Sequence, residues 1–294
     1  MLTVHGVTKT YGDRRVLDDV GFEVGPGRLT GFVGGNGAGK TTTMRIILGV
    51  LAPDTGEVTL DGRPLDISTR RSFGYMPEER GLYPKMKVAE QIAYFGRLHG
   101  MSRSESETAT TALLERLGLG ERAGDAVESL SLGNQQRAQI AAALVHSPRV
   151  LILDEPFSGL DPMAVETVLE VLQDTAASGV PVLFSSHQLE LVERLCDDLV
   201  VIANGSIRAS GSREKLQDQH ATLQYELVTD GDVAWVREVA GVRVLDFAGG
   251  TAVFEADEPA TAQQVLQRAV AAGPVTAFTP RRPTLTQIFK EVVA

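Results

Sequence analysis

The chain has 294 residues, which is enough for one large α/β domain and a smaller second domain. Its 43% hydrophobic and 22% charged residues are an ordinary globular composition and exclude a disordered or collagen-like chain. The 28 Lys and Arg against 38 Asp and Glu give a net charge of −10, which would repel a nucleic-acid backbone and disfavours such a partner.

The chain opens with extended segments. These are rich in β-branched residues and comprise Leu2 to Val7, Val20 to Val24 and, before a glycine cluster, Arg28 to Val33. They predict a small β subdomain at the start of the fold. Farther on, the turn-rich segment Pro53 to Asp61 contains the strand-like stretch Glu57 to Leu60. Helical spacing begins at Lys40, and from Val88 to about Leu117 two segments carry apolar residues at helical spacing, which predicts a helical insertion.

Strands and helices then alternate, as in a parallel sheet covered by helices. The predicted buried strands are Val150 to Leu153 and Val180 to Ser185, and the helices that follow them are Pro162 to Ser178 and Gln188 to Cys196. Asn204-Gly205 predicts a tight hairpin turn after them.

Residues 1–219 are predicted to form the first domain and residues 220–294 a small second one. The predicted elements of the second domain are strand Leu223 to Val228, helix Asp232 to Val239, strands Val242 to Phe247 and Ala252 to Ala256, helix Thr261 to Ala271, strand Val275 to Phe278 and a helix from Thr284. This βαββαβα order predicts a ferredoxin-like α+β fold.

A phosphate-binding loop is the strongest motif. The match to G-x-x-x-x-G-K-[ST] is Gly34, Gly35, Asn36, Gly37, Ala38, Gly39, Lys40 and Thr41. Because a predicted strand precedes the loop and a predicted helix follows it, a merely flexible glycine-rich turn is the weaker interpretation. Lys40 is expected to reach the β- and γ-phosphates of ATP, Thr41 to bind Mg²⁺, and Thr42 to bond the α-phosphate.

The strand Val150 to Leu153 ends in two carboxylates, Asp154 and Glu155. We expect Asp154 to hold the metal, through water, and Glu155 to polarise the attacking water. Two acidic residues also occur at ordinary solvated strand ends, and the upstream phosphate loop is what favours the catalytic interpretation.

Three further stretches carry a resemblance to a known family. They are Leu130 to Arg137 (LSLGNQQR), Ser158 to Asp161 (SGLD) and His187. Together with the phosphate loop they resemble the nucleotide-binding subunit of an ABC transporter, over about Leu2 to Gln219. The LSGGQ-like stretch distinguishes this family from other P-loop proteins, because ordinary P-loop kinases and GTPases lack such a stretch before the acidic strand.

The resemblance implies a site shared between two chains. Ser131 and Gly133, with Asn134 in the same motif, would contact the γ-phosphate of ATP held by a partner subunit, using a helix N-terminus as an anion site. Asp161 resembles the residue that crosses the seam of this dimer. A plain polar helix start is the alternative for Ser131 to Gln136.

Three residues are assigned to the chain's own nucleotide by the same resemblance. His187 resembles the switch histidine that bonds the γ-phosphate and orients water, with a satisfied surface histidine as the alternative. Tyr11 fits the aromatic residue that stacks on adenine, unless it belongs to the core, and Val16 is placed beside it in the nucleotide site.

The chain departs from the family pattern at four positions. Gly35 stands where proline or serine is usual, and Leu132 and Asn134 replace a glycine and a glutamine, which backbone contacts should tolerate. Glu78, in the stretch Tyr75 to Pro84 (YMPEERGLYP), replaces the usual glutamine. A carboxylate can still bind Mg²⁺, directly or through water, although it adds repulsion near the triphosphate.

The PEERGLYP stretch and the small C-terminal domain resemble one branch, the ATPases of ABC-2 type exporters, including sodium-extrusion and antibiotic-resistance kinds. This implies a second ATPase subunit, identical or a close paralogue, and separate ABC-2 type membrane-spanning subunits. A soluble ABC ATPase acting on nucleic acid or ribosomes stays open as the alternative, although net acidity and the single cassette disfavour it.

The expected location follows from three absences. The single cysteine, Cys196, excludes an internal disulfide and fits a reducing compartment, where we expect it as a small buried hydrophobe. The first residues lack the pattern of a secretory signal, and no stretch approaches the roughly 18 apolar residues of a spanning helix. We therefore expect a cytoplasmic protein, peripheral on the inner face of the cell membrane.

Overall fold

The computed structural model describes residues 1–79, 81–219 and 223–293. It divides into two compact units, Met1–Arg213 and Glu214–Val292. The division precedes the expected boundary at 219/220, since the helix Arg213–Gln219 packs with the second unit: Gln217 donates a hydrogen bond to the carbonyl of Pro283. His220, at the expected boundary, and Arg80, in the PEERGLYP stretch, lie outside the described residues.

The first unit alternates strands and helices. Its strands are β1 (Leu2–Tyr11), β2 (Arg14–Val24), β3 (Leu29–Val33), β4 (Thr55–Leu60), β5 (Arg63–Pro64), β6 (Phe73–Met76), β7 (Val150–Leu153), β8 (Val182–Ser186), β9 (Asp198–Ala203) and β10 (Ser206–Ser212). Its helices are α1 (Lys40–Ile47), α2 (Ile67–Arg70), α3 (Val88–Leu98), α4 (Arg103–Arg116), α5 (Leu132–Leu144), α6 (Pro162–Ala177) and α7 (Leu189–Leu195).

An antiparallel sheet of order β2-β1-β4-β5 forms the expected β subdomain, except that the stretch Arg28 to Val33 contributes β3 to the central sheet instead. Its apolar face packs against the central sheet in one core, in which the rings of Phe22 and Phe32 lie 5.2 Å apart. Alternation of buried and exposed residues along these strands explains why one face is covered and the other is in water.

The central sheet has the order β10-β9-β3-β8-β7-β6 and is parallel except for β10. The strands β3, β7 and β8 are buried throughout, as expected for a sheet covered on both faces. The hairpin between β9 and β10 turns at Asn204 and Gly205, whose φ values of 50° and 77° are those of a type I′ turn, confirming the sequence prediction. The carboxyl ends of β6, β7, β8 and β3 lie side by side and form one edge.

The predicted helical insertion is confirmed as α3 and α4, which pack against α5. A capping box begins α4: the Ser102 hydroxyl accepts from the Glu105 N–H, and the Glu105 carboxylate accepts from the Ser102 N–H. Where α3 ends, the ring of His99 stacks on that of His146, with centroids 3.6 Å apart.

The second unit contains a four-stranded sheet. Its strands are β11 (Gln224–Thr229), β12 (Val242–Ala248), β13 (Thr251–Ala256) and β14 (Val275–Arg281), and its helices are α8 (Arg213–Gln219), α9 (Pro259–Ala272) and α10 (Leu285–Val293). The antiparallel order β12-β13-β11-β14 is that of a ferredoxin-like sheet, and α9 covers its apolar face.

One predicted helix of this unit is wrong. Instead of an α-helix over Asp232 to Val239, the chain forms a 3₁₀ turn at Ala234–Glu238. Val233 and Val236 are both buried, and this spacing of three suits 3.0 residues per turn rather than 3.6. The Asp232 carboxylate also accepts a hydrogen bond from the Ala234 N–H at 2.9 Å, a local bond that competes with an α-helix.

Among the described residues, no helix is both long enough and apolar enough to cross a membrane. Cys196 is buried, as expected, and burial raises the pKa of its thiol to about 12.

The stacked histidines predict a pH dependence of stability. Burial, and then the neighbouring His99, lower the pKa of His146 from 6.5 to about 4. Between those two pH values the unfolded chain binds a proton at His146 and the folded chain does not, so stability should fall as pH falls from 6.5 towards 4. The urea midpoint of His146→Gln should decline less over this range than that of wild type. The exposed His5→Gln variant is the control, and an equal decline in all three proteins would contradict the prediction.

Candidate functional site

The phosphate loop joins β3 to α1 at the carboxyl edge of the central sheet. A Cβ on Gly34 would lie 2.4 Å from the backbone oxygen of Ile202 on β9, so only glycine allows this approach. Gly39 has φ of 114° at the start of α1, another conformation that favours glycine. A Cβ on Gly35, by contrast, would meet open space. This explains why the family can carry proline or serine at the position that glycine occupies in this chain.

The Lys40 side chain folds back over this loop. It is 9% exposed, and its Nζ donates to the carbonyl oxygens of Gly34 at 2.7 Å and Gly35 at 3.3 Å. The ammonium group is therefore held at the loop by neutral acceptors, and no carboxylate of the described residues pairs with it.

Two carboxylates follow β7, beside the loop. Asp154 is 1% exposed and accepts from the Thr41 hydroxyl at 3.0 Å and from the Ser185 hydroxyl at 2.5 Å. The same Ser185 oxygen accepts from the Glu155 N–H at 2.9 Å. These three bonds join α1, β7 and β8 at one point, so the Asp154 carboxylate is fixed on both of its oxygens.

Glu155 occupies an unusual backbone conformation. Its φ of 54° lies in the left-handed region, which non-glycine residues rarely adopt and which recurs at functional sites. The Gln136 side chain donates to its carbonyl at 2.9 Å, and its carboxylate lies 3.0 Å from Nδ1 of His187. A neutral His187 with its proton on Nδ1 would donate to this carboxylate and present Nε2 as an acceptor.

These groups surround one cavity of about 740 Å³. Its lining residues are Tyr11, Arg14, Val16, Asn36, Gly37, Ala38, Gly39, Lys40, Thr41, Thr42, Glu78, Asp154, Glu155 and His187. The predicted adenine platform Tyr11, which is half exposed, thus shares a cavity with the phosphate loop and both carboxylates. Gly34 and Gly35 contribute through the carbonyls that hold Lys40.

The four residues assigned to a partner's nucleotide lie outside this cavity. Ser131 caps α5, its oxygen accepting from the Asn134 N–H, and Asp161 caps α6, accepting from the Ala164 N–H at 2.8 Å. A Cβ on Gly133 would lie 3.3 Å from the Gly159 carbonyl, so the two stretches are neighbours.

Large apolar side chains are exposed beside both caps. Leu132 is 55% exposed at the start of α5, and Met163 is 77% exposed at the start of α6. The two helix N-termini and these side chains therefore form a surface with both anion-binding and apolar character.

Glu78 follows β6 and reaches the cavity from the other side of β7. The Gln139 side chain, 4% exposed on α5, donates to the carbonyls of Pro77 at 3.5 Å and Glu79 at 3.3 Å, on either side of Glu78. Farther along, Gln91 on α3 donates to the Tyr83 carbonyl at 3.3 Å.

The oxygen-rich end of the cavity offers possible ligands for a metal ion. In the described part of the chain no three His, Cys, Asp or Glu side chains cluster as a self-sufficient metal site. Thr41, Asp154 and Glu78 instead offer a hydroxyl and carboxylate oxygens, a donor set that fits Mg²⁺ bound together with phosphate oxygens.

Sequence reasoning missed three residues of this site: Arg14, Gln136 and Ser185. Gln136 lies within the LSGGQ-like stretch, but its contact with the Glu155 carbonyl joins positions far apart in the chain. Ser185 was identified only as the end of a strand, and its contact with Asp154 follows from the pairing of β7 with β8. Arg14 belongs to no recognised motif, so the sequence offered no signal for it.

Comparison with known proteins gives two family matches. Residues 17–158 match the model for "ABC transporter". Residues 211–293 match "ATP-binding protein DrrA1-3-like, C-terminal domain".

Individual relatives agree with these matches. "Uncharacterized ABC transporter ATP-binding protein YhaQ" of Bacillus subtilis (strain 168) is 38% identical, covering 100% of this chain and 98% of its own. "Nod factor export ATP-binding protein I" of Bradyrhizobium sp. (strain SNU001) is 36% identical, covering 80% of this chain and 77% of its own. A solved structure described as dimeric MJ0796, a bacterial ABC transporter cassette, superimposes with a TM-score of 0.66 at 25% identity, over 72% of this chain and 98% of its own.

The position of Ser185 predicts a stability effect. Ser185→Ala should lower the free energy of unfolding by about 1–3 kcal/mol, because it leaves the buried Asp154 oxygen and the Glu155 N–H without their shared partner. Thr30→Val is the matched control, since Thr30 on the neighbouring β3 is equally buried and its hydroxyl has no hydrogen-bond partner among the residues that the structure describes. Urea unfolding should separate the two variants, and equal losses would show that the Ser185 contacts do not stabilise the fold.

Proposed function

The chain belongs to the ATP-binding proteins of ABC transporters, and we propose that it powers a membrane exporter of the ABC-2 type by binding and hydrolysing ATP. Membership of this family makes it an ATP-binding subunit and an ATPase.

The proposal rests on one observation: the phosphate loop, two carboxylates and a histidine converge on a single cavity. Lys40 would exchange its carbonyl acceptors for the β- and γ-phosphate oxygens, while Thr42 and the loop N–H groups bind phosphate. Glu155 would polarise the water that attacks the γ-phosphate, a role that its position in this cavity supports. Because Nδ1 of His187 faces Glu155, donation by His187 to that phosphate requires a second ring proton or a change of partner.

Magnesium would be held beside the triphosphate by Thr41, by Asp154 through water, and by Glu78. When bound, it supplies positive charge that offsets the repulsion between phosphate oxygens and the carboxylates. Asp154 is already oriented by Ser185, so the Thr41–Asp154 hydrogen bond is the contact that would give way.

The family's cassettes work as dimers with membrane subunits, and we extend this to the caps of α5 and α6. Ser131, Gly133 and Asn134 would bind the γ-phosphate held by a second subunit, identical or paralogous, with Asp161 at the seam. The exposed Leu132 and Met163 beside these caps support burial against such a partner.

The segment 77–83 is our candidate for contact with the membrane-spanning subunits. Leu82 and Phe95 line a second cavity of about 330 Å³ beside it, and Tyr83 is 57% exposed. The PEERGLYP stretch and the DrrA-like C-terminal domain support the ABC-2 assignment, and the similarity to a Nod factor export protein supports export. The chain would then reside in the cytoplasm, on the inner face of the membrane.

Glu155→Gln tests the catalytic role. The variant should lose at least about 10²-fold in ATPase rate, because an amide cannot polarise the attacking water, yet it should bind ATP because Lys40 and Thr41 are unchanged. ATP should also trap it as a dimer in gel filtration. Glu170→Gln, an exposed carboxylate on α6, is the control. A Glu155→Gln rate within threefold of wild type would remove Glu155 from catalysis.

Tyr83→Asp tests docking on the membrane subunits. The variant should bind ATP normally, but less of it should sediment with the membranes of cells that make it, because a carboxylate buried without a partner costs several kcal/mol. Ile67→Asp is the control, since Ile67 is a 74% exposed apolar residue on α2. If both variants sediment as wild type does, the docking site lies elsewhere.

A further inference from the structure

The nucleotide cavity has an unbalanced set of charges. Glu78, Asp154 and Glu155 line it with three carboxylates, and the only fixed cations among the described lining residues are Lys40 and Arg14. ATP brings several more negative charges into the same space. Close like charges repel strongly at a partly buried site, so a second cation in contact with the nucleotide has a large effect on binding.

The phosphate loop supplies only one of these cations. Lys40 is held over the loop by the carbonyls of Gly34 and Gly35, which confines its ammonium group to the β- and γ-phosphate end. The remaining cation is Arg14, at the start of β2, which shares the cavity with Tyr11 and Val16.

A β-bulge lies next to Arg14. Lys9 pairs with Leu17 and Thr10 pairs with Arg15, so Val16 is an extra residue without an opposite partner. Bulges redirect side chains and are frequent next to active sites. The Val16 carbonyl lies 3.3 Å from where a Cβ on Gly39 would be, so the bulge brings this strand against the phosphate loop.

The two adjacent arginines differ in their contacts. Arg15 is bound to Asp18 at 2.8 Å and does not line the cavity. Arg14 lines the cavity, is exposed, and makes no hydrogen bond or ion pair within the described residues. Its guanidinium is therefore available to a ligand without the loss of an existing contact.

We propose that Arg14 is a second phosphate-binding cation of the nucleotide site, an inference that rests on the assignment of this cavity to ATP. A guanidinium has no acceptor atom and forms paired, charge-assisted hydrogen bonds with phosphate oxygens. Arg14 would bind the phosphate chain from the Tyr11 side while Lys40 binds it from the loop, so that two cations face the negative charge from different directions.

The test compares Arg14→Gln with Arg15→Gln, which removes the same charge one residue away. Dissociation constants of ATP, AMP and adenosine are measured by competition with a fluorescent ATP analogue, at 0.1 M and 1 M salt. Arg14→Gln should weaken ATP binding about tenfold, in the range of hydrogen bonds to charged groups, and leave adenosine binding unchanged. The loss should shrink at 1 M salt, where the screening length is about 3 Å, and Arg14→Lys should recover part of it.

Three results would overturn the inference: a change below twofold for Arg14→Gln, an equal change for Arg15→Gln, or an equal loss for adenosine and ATP. The last of these would place Arg14 on the base instead of the phosphates.

The AMP measurement shows which phosphate Arg14 contacts. A loss of affinity shared by AMP and ATP indicates the α-phosphate, and a loss of affinity confined to ATP indicates the β- or γ-phosphate. Wild-type protein that fails to bind ATP would defeat the proposed function itself, a result distinct from any of these.

Discussion

The hydrogen bonds around Asp154 are the interaction on which the rest of the site depends. Thr41 and Ser185 each donate to one of its oxygens, and Ser185 also accepts from the Glu155 N–H. Removing a buried carboxylate from water is unfavourable unless both oxygens find donors, which the neighbouring elements α1 and β8 supply here. The same contacts that make the buried charge tolerable also fix the start of α1 and the strained backbone of Glu155 relative to each other.

The cations and carboxylates of the cavity suit the binding of an anion together with a metal ion. Lys40 is bound to neutral carbonyls, which it can exchange for phosphate oxygens without breaking an ion pair. The Asp154 carboxylate accepts from two hydroxyl groups and the Glu155 carboxylate lies beside the His187 imidazole, and within the described residues neither is paired with a lysine or an arginine. The charged groups of opposite sign are thus kept apart in this cavity, and a nucleotide with its magnesium ion would join them.

Local patterns predicted most of the fold, and distant contacts account for what was missed. The phosphate loop and the Asn204-Gly205 turn are specified by adjacent residues, and periodicity is enough for the strands and the helical insertion. Ser185 and Gln136 act on Glu155 across strand and helix pairings that one sequence does not reveal. Over Asp232 to Val239 the eight-residue apolar pattern fits two helix types, and the burial of Val233 and Val236, three residues apart, favours the 3₁₀ turn at Ala234–Glu238.

The segment 77–83 links two regions that motif analysis treats separately. Glu78, near its start, lines the nucleotide cavity, and Leu82, near its end, lines the cavity beside α3. Buried glutamines hold it from both sides, Gln139 at the carbonyls flanking Glu78 and Gln91 at the Tyr83 carbonyl. A shift of α3 would therefore act on the Gln91 end of the segment and a shift of α5 on the Gln139 end. Because a buried amide N–H is costly to leave unpaired, a shift of either helix that broke its hydrogen bond to this segment would cost free energy.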